Sequence, residues 1–227
     1  MSMTSNDVNL VDLFNRIRNS KKRLISIEGG ISVGKSTLGR DLNMLLNTFN
    51  IVSKFYTEPF NQRMLEQFLS DMKKYAYTFQ MYMLTRRQLD YNEAYRERDA
   101  TISILDRSMT GDYVFMSLQK KYGNVSDEEF AIYQEEYDKF TKYKPDIVLF
   151  LNVDIETMKT RIAKRNRNGE TKYNFEYLDE LQKQYMDILP THIPSEKTII
   201  IDWNNDVLDN MGHVREDILI ALLQQMF

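Results

Sequence analysis

A chain of 227 residues with 42% hydrophobic side chains can build one compact core, with material left over for a small lid. A net charge of −3 excludes the broad basic field that nucleic-acid binders carry and favours a small phosphorylated ligand over a polymer. With no cysteine there is neither a disulfide nor a thiolate zinc site, and the two histidines, His192 and His213, lie near no serine motif and read as surface residues.

Residues 1–22 are polar, with "VNLVDLFNRIR" at helical spacing, and read as an N-terminal polar extension ahead of a single domain at 23–227. They lack the apolar core of a secretory signal, and Asp7 and Asp12 argue against a transit peptide, so a cytoplasmic location is expected, with a mitochondrial one left open. No apolar run approaches the ~20 residues of a membrane span. "RLISIE" (23–28) reads as a buried strand. The segment after it, Gly29, Gly30, Ile31, Ser32, Val33, Gly34, Lys35, Ser36 and Thr37, has the spacing Gly-x-x-x-x-Gly-Lys-Ser. Small residues let backbone N–H groups close around phosphates, while a lysine and a hydroxyl complete a socket for phosphate and metal. A helix over 36–49 places Leu38, Leu42, Leu45 and Leu46 on one face. Further strands are expected at 51–58, 101–106, 146–153 and 197–203, with one or two helices over 60–99 and a final amphipathic helix over 207–226. Strands alternating with helices imply an α/β fold, a five-stranded parallel sheet flanked by helices, with ligands at the carboxyl ends of the strands.

Those strand ends carry charge. Glu28 ends the first, Glu58 the second and Asp106 the third. Phosphoryl transfer to a hydroxyl needs a carboxylate that holds a metal and a base for the incoming hydroxyl, and Asp106 and Glu58 can supply them. Further on, Arg161, Arg165 and Arg167 form an arginine-rich lid at about 161–173 that can close over a triphosphate and spread its developing charge.

Taken together, "IEGGISVGKST", "TEP" (57–59), "TFQMYMLTRR" (78–87), "DRSMTGD" (106–112) and "RIAKRNRNGETKYNFEYL" (161–178) resemble the deoxynucleoside kinases, a family with a P-loop kinase fold. The resemblance implies a role for each matching position. Glu58 would be the general base toward the nucleoside 5′-hydroxyl, Arg107 would hold Glu58 and the transferred phosphoryl group, and Lys35 would follow the charge. Asp106 would act on Mg2+ with Ser36. Arg161, Arg165, Arg167 and Asp206 would serve ATP together with the glycine loop. Gln80 would pair with the base edge, Phe115 would stack on the base, and Glu170 would reach the sugar 3′-hydroxyl. An Arg87/Asp112 pair goes, in this family, with bases that carry an exocyclic amino group, so deoxyadenosine, deoxyguanosine or deoxycytidine is expected ahead of thymidine. The implied partners are the deoxynucleoside, ATP and a second copy of the chain as a homodimer, with no nucleic acid polymer and no membrane.

Some positions depart from the family pattern. Leu69 stands where a tyrosine often bonds the 3′-hydroxyl, which leaves Glu170 to hold the sugar alone or Tyr75 or Tyr77 to compensate. Arg63 stands near a position commonly occupied by tryptophan. Two other readings compete. A thymidylate-type monophosphate kinase would use Arg87 and Arg63 on an acceptor phosphate, and a catalytically weak regulatory subunit would bind ATP without turnover. A switch GTPase is disfavoured by the lack of an Asn-Lys-x-Asp signature.

Overall fold

The structure is a computed structural model that describes residues 5–139, 144–168, 170–204 and 207–227. Five strands, β1 (Leu24–Gly29), β2 (Ser53–Tyr56), β3 (Ile102–Asp106), β4 (Ile147–Asn152) and β5 (Thr198–Asp202), form one all-parallel sheet in the order β2-β3-β1-β4-β5. Every residue of β1 and β3 is buried, and β4 is buried up to Asn152, as expected of strands covered on both faces. The edge strands β2 and β5 are only partly buried. The order reverses at β1, whose neighbours β3 and β4 are reached from opposite directions, so a crevice opens beyond the carboxyl ends of β1 and β3.

Helices cover both faces. On one, α2 (Lys35–Thr48) turns fully buried Leu38, Leu42 and Leu46 onto the sheet and packs against α9 (Glu216–Met226), while α8 (Phe175–His192) lies on the opposite face, where Tyr185 reaches Glu28 and Arg107. The other cluster joins α3 (Gln62–Ser70), α4 (Met72–Arg96) and α6 (Asp127–Asp138) to Leu105 and to Met109 and Met116 of α5 (Met109–Lys121). The stretch 60–99 breaks at Asp71. Its extended backbone ends α3, and its side chain caps α4 by accepting from the Lys74 amide at 3.0 Å.

Within the stretch read as an N-terminal extension, α1 (Ser5–Asn19) buries Leu13, Phe14 and Ile17 in the main core, because these side chains share one helical face. One expectation changes at the other end of the chain. The final helix spans α9 alone. Among 207–215, Asp209 accepts from the Met211 and His213 amides, Gly212 takes φ +84°, and Leu208 bridges antiparallel to Val214. A carboxylate that bonds its own backbone, followed by a left-handed glycine, outcompetes the apolar spacing of this stretch. Both histidines are partly exposed: His213 faces Asp41, and His192 lies against the Tyr113 ring.

Candidate active site

The glycine loop connects β1 to α2, and its backbone follows from what surrounds it. Gly29 lies at φ +140°, where a Cβ would come within 2.9 Å of the Leu151 carbonyl, and Gly34 at φ +108° backs onto the Trp203 indole. Ser32 also takes a positive φ of 60°. Lys35 starts α2, and its buried ammonium has one protein partner among the described residues, the Gly30 carbonyl at 2.9 Å. Burial, seconded by the Arg107 charge, lowers its pKa to about 8.

Beside it, Ser36 Oγ donates to Asp106 Oδ2 at 2.5 Å. The other oxygen, Oδ1, is buried with no partner, and burial pushes the Asp106 carboxyl upward against the pull of Lys35. A hydroxyl and a carboxylate with a spare lone pair suit a hard cation that keeps most of its shell for water and phosphate oxygens, as Mg2+ does. Among the described residues no group of three or more His, Cys, Asp or Glu side chains could cage a metal.

Glu58 follows β2 and sits at the centre of the cleft, 32% exposed to it. Its Oε1 accepts from Arg107 Nε at 2.9 Å and from Arg87 Nη2 at 3.1 Å. Burial raises the Glu58 pKa, but Arg107, Arg87 and Lys35 outweigh it and hold the carboxyl well below the usual range. Arg107 is itself 3% exposed and adopts φ +72°, rare for a side chain of its size. Its guanidinium donates to the Gly29 and Gly30 carbonyls and to Tyr185, and it lies 4.7 Å from the centroid of the Phe115 ring. One arginine thus welds the end of β3 to the phosphate loop while presenting Nε to Glu58. Glu28 completes the joint by accepting from the Ser108 amide at 2.6 Å.

Arg87, from α4, links Glu58 to Asp112 of α5, donating from Nε to Asp112 Oδ1 at 3.1 Å. Its Nη1 is buried without a partner. Gln80, one helical stretch earlier on α4, lines the same cleft at 2% exposure, and its amide has no protein partner among the described residues. These groups share one cavity of about 700 Å³, large enough for small-molecule substrates. Phe60, Phe68, Phe79, Met83 and Tyr173 add apolar wall.

The lid follows α7 (Ile155–Arg165), which Asn166 ends in the left-handed conformation. Arg165 grips buried Glu170 with a two-pronged contact, Nε at 3.0 Å and Nη2 at 2.6 Å, and Arg167 stands 3.6 Å from the same carboxylate. Arg161 donates to the Val33 and Trp203 carbonyls at 2.7 and 2.9 Å, pinning the glycine loop from behind. All three arginines and Glu170 line the cavity.

The residues expected from sequence therefore converge: the loop 31–37, Glu58, Gln80, Arg87, Arg107, Asp112, Phe115, Arg161, Arg165, Arg167 and Glu170 all line this cavity, with Asp106 on Ser36. Asp206 lies outside the described residues. Phe115 reaches the cavity with its face under Arg107. Leu69 is buried, its carbonyl accepting from Lys172 of the lid at 3.0 Å, while Tyr75 and Tyr77 pack beside the second core and are not cavity-lining. Arg63 is not a lining residue either. Sequence reasoning missed Tyr185, Tyr173 and Trp203, which reach the site from helices and loops with no local signature.

A parallel sheet with a glycine-rich strand–loop–helix connection, a Ser36–Asp106 pair and an arginine-held glutamate beside it has the form of a P-loop kinase fold. The family model "Deoxynucleoside kinase" matches residues 25–226. A deoxyguanosine kinase of Dictyostelium discoideum is 32% identical over 206 residues, covering 88% of this chain and 70% of that one. A probable deoxycytidine kinase of fowlpox virus is 31% identical over 189 residues, 80% of this chain and 78% of that one. Among solved structures, a deoxyadenosine kinase from M. mycoides with the products dCMP and a flexible dCDP bound has a TM-score of 0.73 at 27% identity, over 88% of this chain and 96% of that one. The chain belongs to the deoxynucleoside kinase family and is a kinase.

Proposed function

We propose that the protein transfers the γ-phosphoryl group of Mg–ATP to the 5′-hydroxyl of a deoxynucleoside whose base carries an exocyclic amino group, in preference to thymidine. One observation carries the reading: Arg87 joins Glu58, where the hydroxyl must be activated, to Asp112, where the base must be read. Glu58 is ionised at neutral pH and partly open to the cleft, so it can accept the hydroxyl proton as transfer proceeds. Arg107 and Lys35 stand where charge builds on the transferred group. Ser36 and Asp106 would hold Mg2+, which would supply further neutralisation of the phosphates. Gln80 offers donor and acceptor together to a base edge, and the Asp112 carboxylate accepts from an amine but not from a carbonyl.

Relatives named for guanine, adenine and cytosine nucleosides, all amino-bearing, support this choice of base, and so do the cytosine products bound in the M. mycoides enzyme. The two carboxylates on Arg87 weigh against a monophosphate acceptor, because that arginine is already engaged. A homodimer belongs to the same reading and is tested by sedimentation.

The functional test is a coupled kinase assay with Mg–ATP against the four deoxynucleosides, cytidine and dTMP, with Glu58→Ala beside the wild type. The expected result is the highest kcat/KM for an amino-bearing deoxynucleoside, reduced by about 10²–10⁴ in the variant. Thymidine as best substrate would overturn the base preference, turnover of dTMP alone would move the protein to the monophosphate kinases, and ATP binding without turnover would leave a regulatory subunit.

A further inference from the structure

Asp112 lies on the cavity wall, 1% exposed, and each of its oxygens has its own donor. Oδ1 receives Arg87 Nε at 3.1 Å, and Oδ2 receives the Tyr133 hydroxyl at 2.8 Å. Tyr133 comes from α6, does not line the cavity, and is fully buried between the Phe130 and Tyr137 rings at 6.2 and 6.0 Å. Asp112, which lines the cavity, accepts from its hydroxyl.

Two donors on separate oxygens fix the plane of a carboxylate, and they leave only lone pairs to face the cavity. A group that can only accept meets an amino substituent well and leaves a carbonyl unpaired and repelled. We infer that Tyr133 is a positioning residue for base selection: by donating to Asp112 from behind, it holds the carboxylate as an oriented acceptor for an exocyclic amine. The inference rests on the reading that Asp112 contacts the base. It also explains why a tyrosine hydroxyl is buried on a helix outside the cleft, where a phenylalanine would fill the same volume without a polar atom to satisfy. Without the hydroxyl, Asp112 keeps one anchor, turns about it and loses its exclusive preference.

Matched substrates isolate the effect. Deoxyadenosine and deoxyinosine differ by amine against carbonyl, with the adjacent ring nitrogen changing from acceptor to donor, as do deoxycytidine and deoxyuridine; that second change is the same for wild type and variant, so comparing the ratio between them isolates the contribution of Tyr133. The ratio of kcat/KM within each pair is read by competition in one sample, so any unfolded fraction of enzyme cancels. The wild type is expected to favour the amine in both pairs. Tyr133→Phe is expected to lower each ratio about tenfold. Tyr137→Phe, which removes a hydroxyl that meets His192 instead, should leave the ratios unchanged. In an Asp112→Ala background, Tyr133→Phe should have no further effect on them.

A purely structural tyrosine would lower kcat/KM for both members of a pair by one factor. Ratios within about twofold of wild type in Tyr133→Phe, or an equal fall of the ratios in the Asp112→Ala background, would overturn the inference while leaving the base preference standing. A wild type that makes no distinction within the pairs would overturn the base reading itself, and the inference with it.

Discussion

Lys35 is a single residue at this site whose burial carries a stability cost. Its ammonium is buried beside the Arg107 guanidinium, and the nearby carboxylates only partly compensate, so its pKa falls to about 8 from the usual 10.5. The unfolded chain therefore binds the proton more tightly than the folded one. Below pH 8 the folded state carries the whole cost of the buried charge, and between about 8 and 10.5 stability attributable to this group rises with pH as the folded lysine is the first to lose its proton. Lys35→Met removes that cost. The ligand-free variant should melt higher than wild type at pH 7, by about 4 °C or more, and the difference should shrink as pH is raised through 9 towards 10.5. On the role proposed for Lys35, phosphoryl transfer by the variant should fall by at least about 10². Scanning fluorimetry of both proteins at several pH values checks the first claim and the kinase assay the second. A variant that melts lower than wild type at pH 7 would mean that Lys35 is a net stabiliser and that its buried charge is better compensated than the geometry implies.

At the scale of elements, the site depends on how closely the start of α5 approaches the end of β1. Gly111 lies in the first turn of α5, where a Cβ would overlap Glu28 Oε2 and stand 3.0 Å from the Tyr185 hydroxyl. The backbone there is ordinary helix, so the glycine is required by space and not by conformation. Gly111→Ala should cost about 1–3 kcal/mol in denaturant unfolding and should lower kcat, since Glu28 also holds the Ser108 amide next to Arg107. An alanine variant with wild-type stability and kcat would show that α5 can shift without disturbing Arg107.

What the sequence disclosed, and what it did not, follows the same division. The buried strands were legible because runs such as "DIVLFLNV" carry no alternation, and the phosphate loop because its spacing is local. Carboxylates at strand ends were legible because the topology sends them to one edge. Partners from distant helices were not: Tyr185 meets Arg107 across 78 residues and Tyr133 meets Asp112 across 21, and no short motif encodes either. The lid was legible as a cluster of arginines, but not its internal pairing. Arg165 is committed to Glu170 and Arg161 to backbone carbonyls, so a bound triphosphate would have to compete with contacts already made.

Over the whole molecule, the least expected contributor to the fold is α1. It lies ahead of the span that matches the family model, which begins at residue 25. Yet Leu13 and Ile17 are completely buried, and Phe14 stacks on Phe49 of the turn after α2 with ring centroids 3.9 Å apart. Polar contacts reinforce the seam. Arg18 donates to the Phe49 carbonyl at 2.7 Å, and Lys22 donates to the Met226 carbonyl at 2.7 Å, at the end of α9. The helix and the residues just after it thereby join the support of α2, whose first residue is Lys35, to the last helix of the chain. Removing residues 1–22 would expose the core positions that Leu13, Phe14 and Ile17 cover. Leu13→Ala alone should cost about 2–5 kcal/mol, and the truncated chain more. Because α2 carries Lys35 and Ser36 at its start, loosening its far end should also weaken nucleotide binding, so the thermal shift produced by Mg–ATP should shrink in Leu13→Ala relative to wild type. If the truncated chain instead melts and binds as the full chain does, α1 is a cover laid over a core that closes without it, and the extra helix serves something other than the fold.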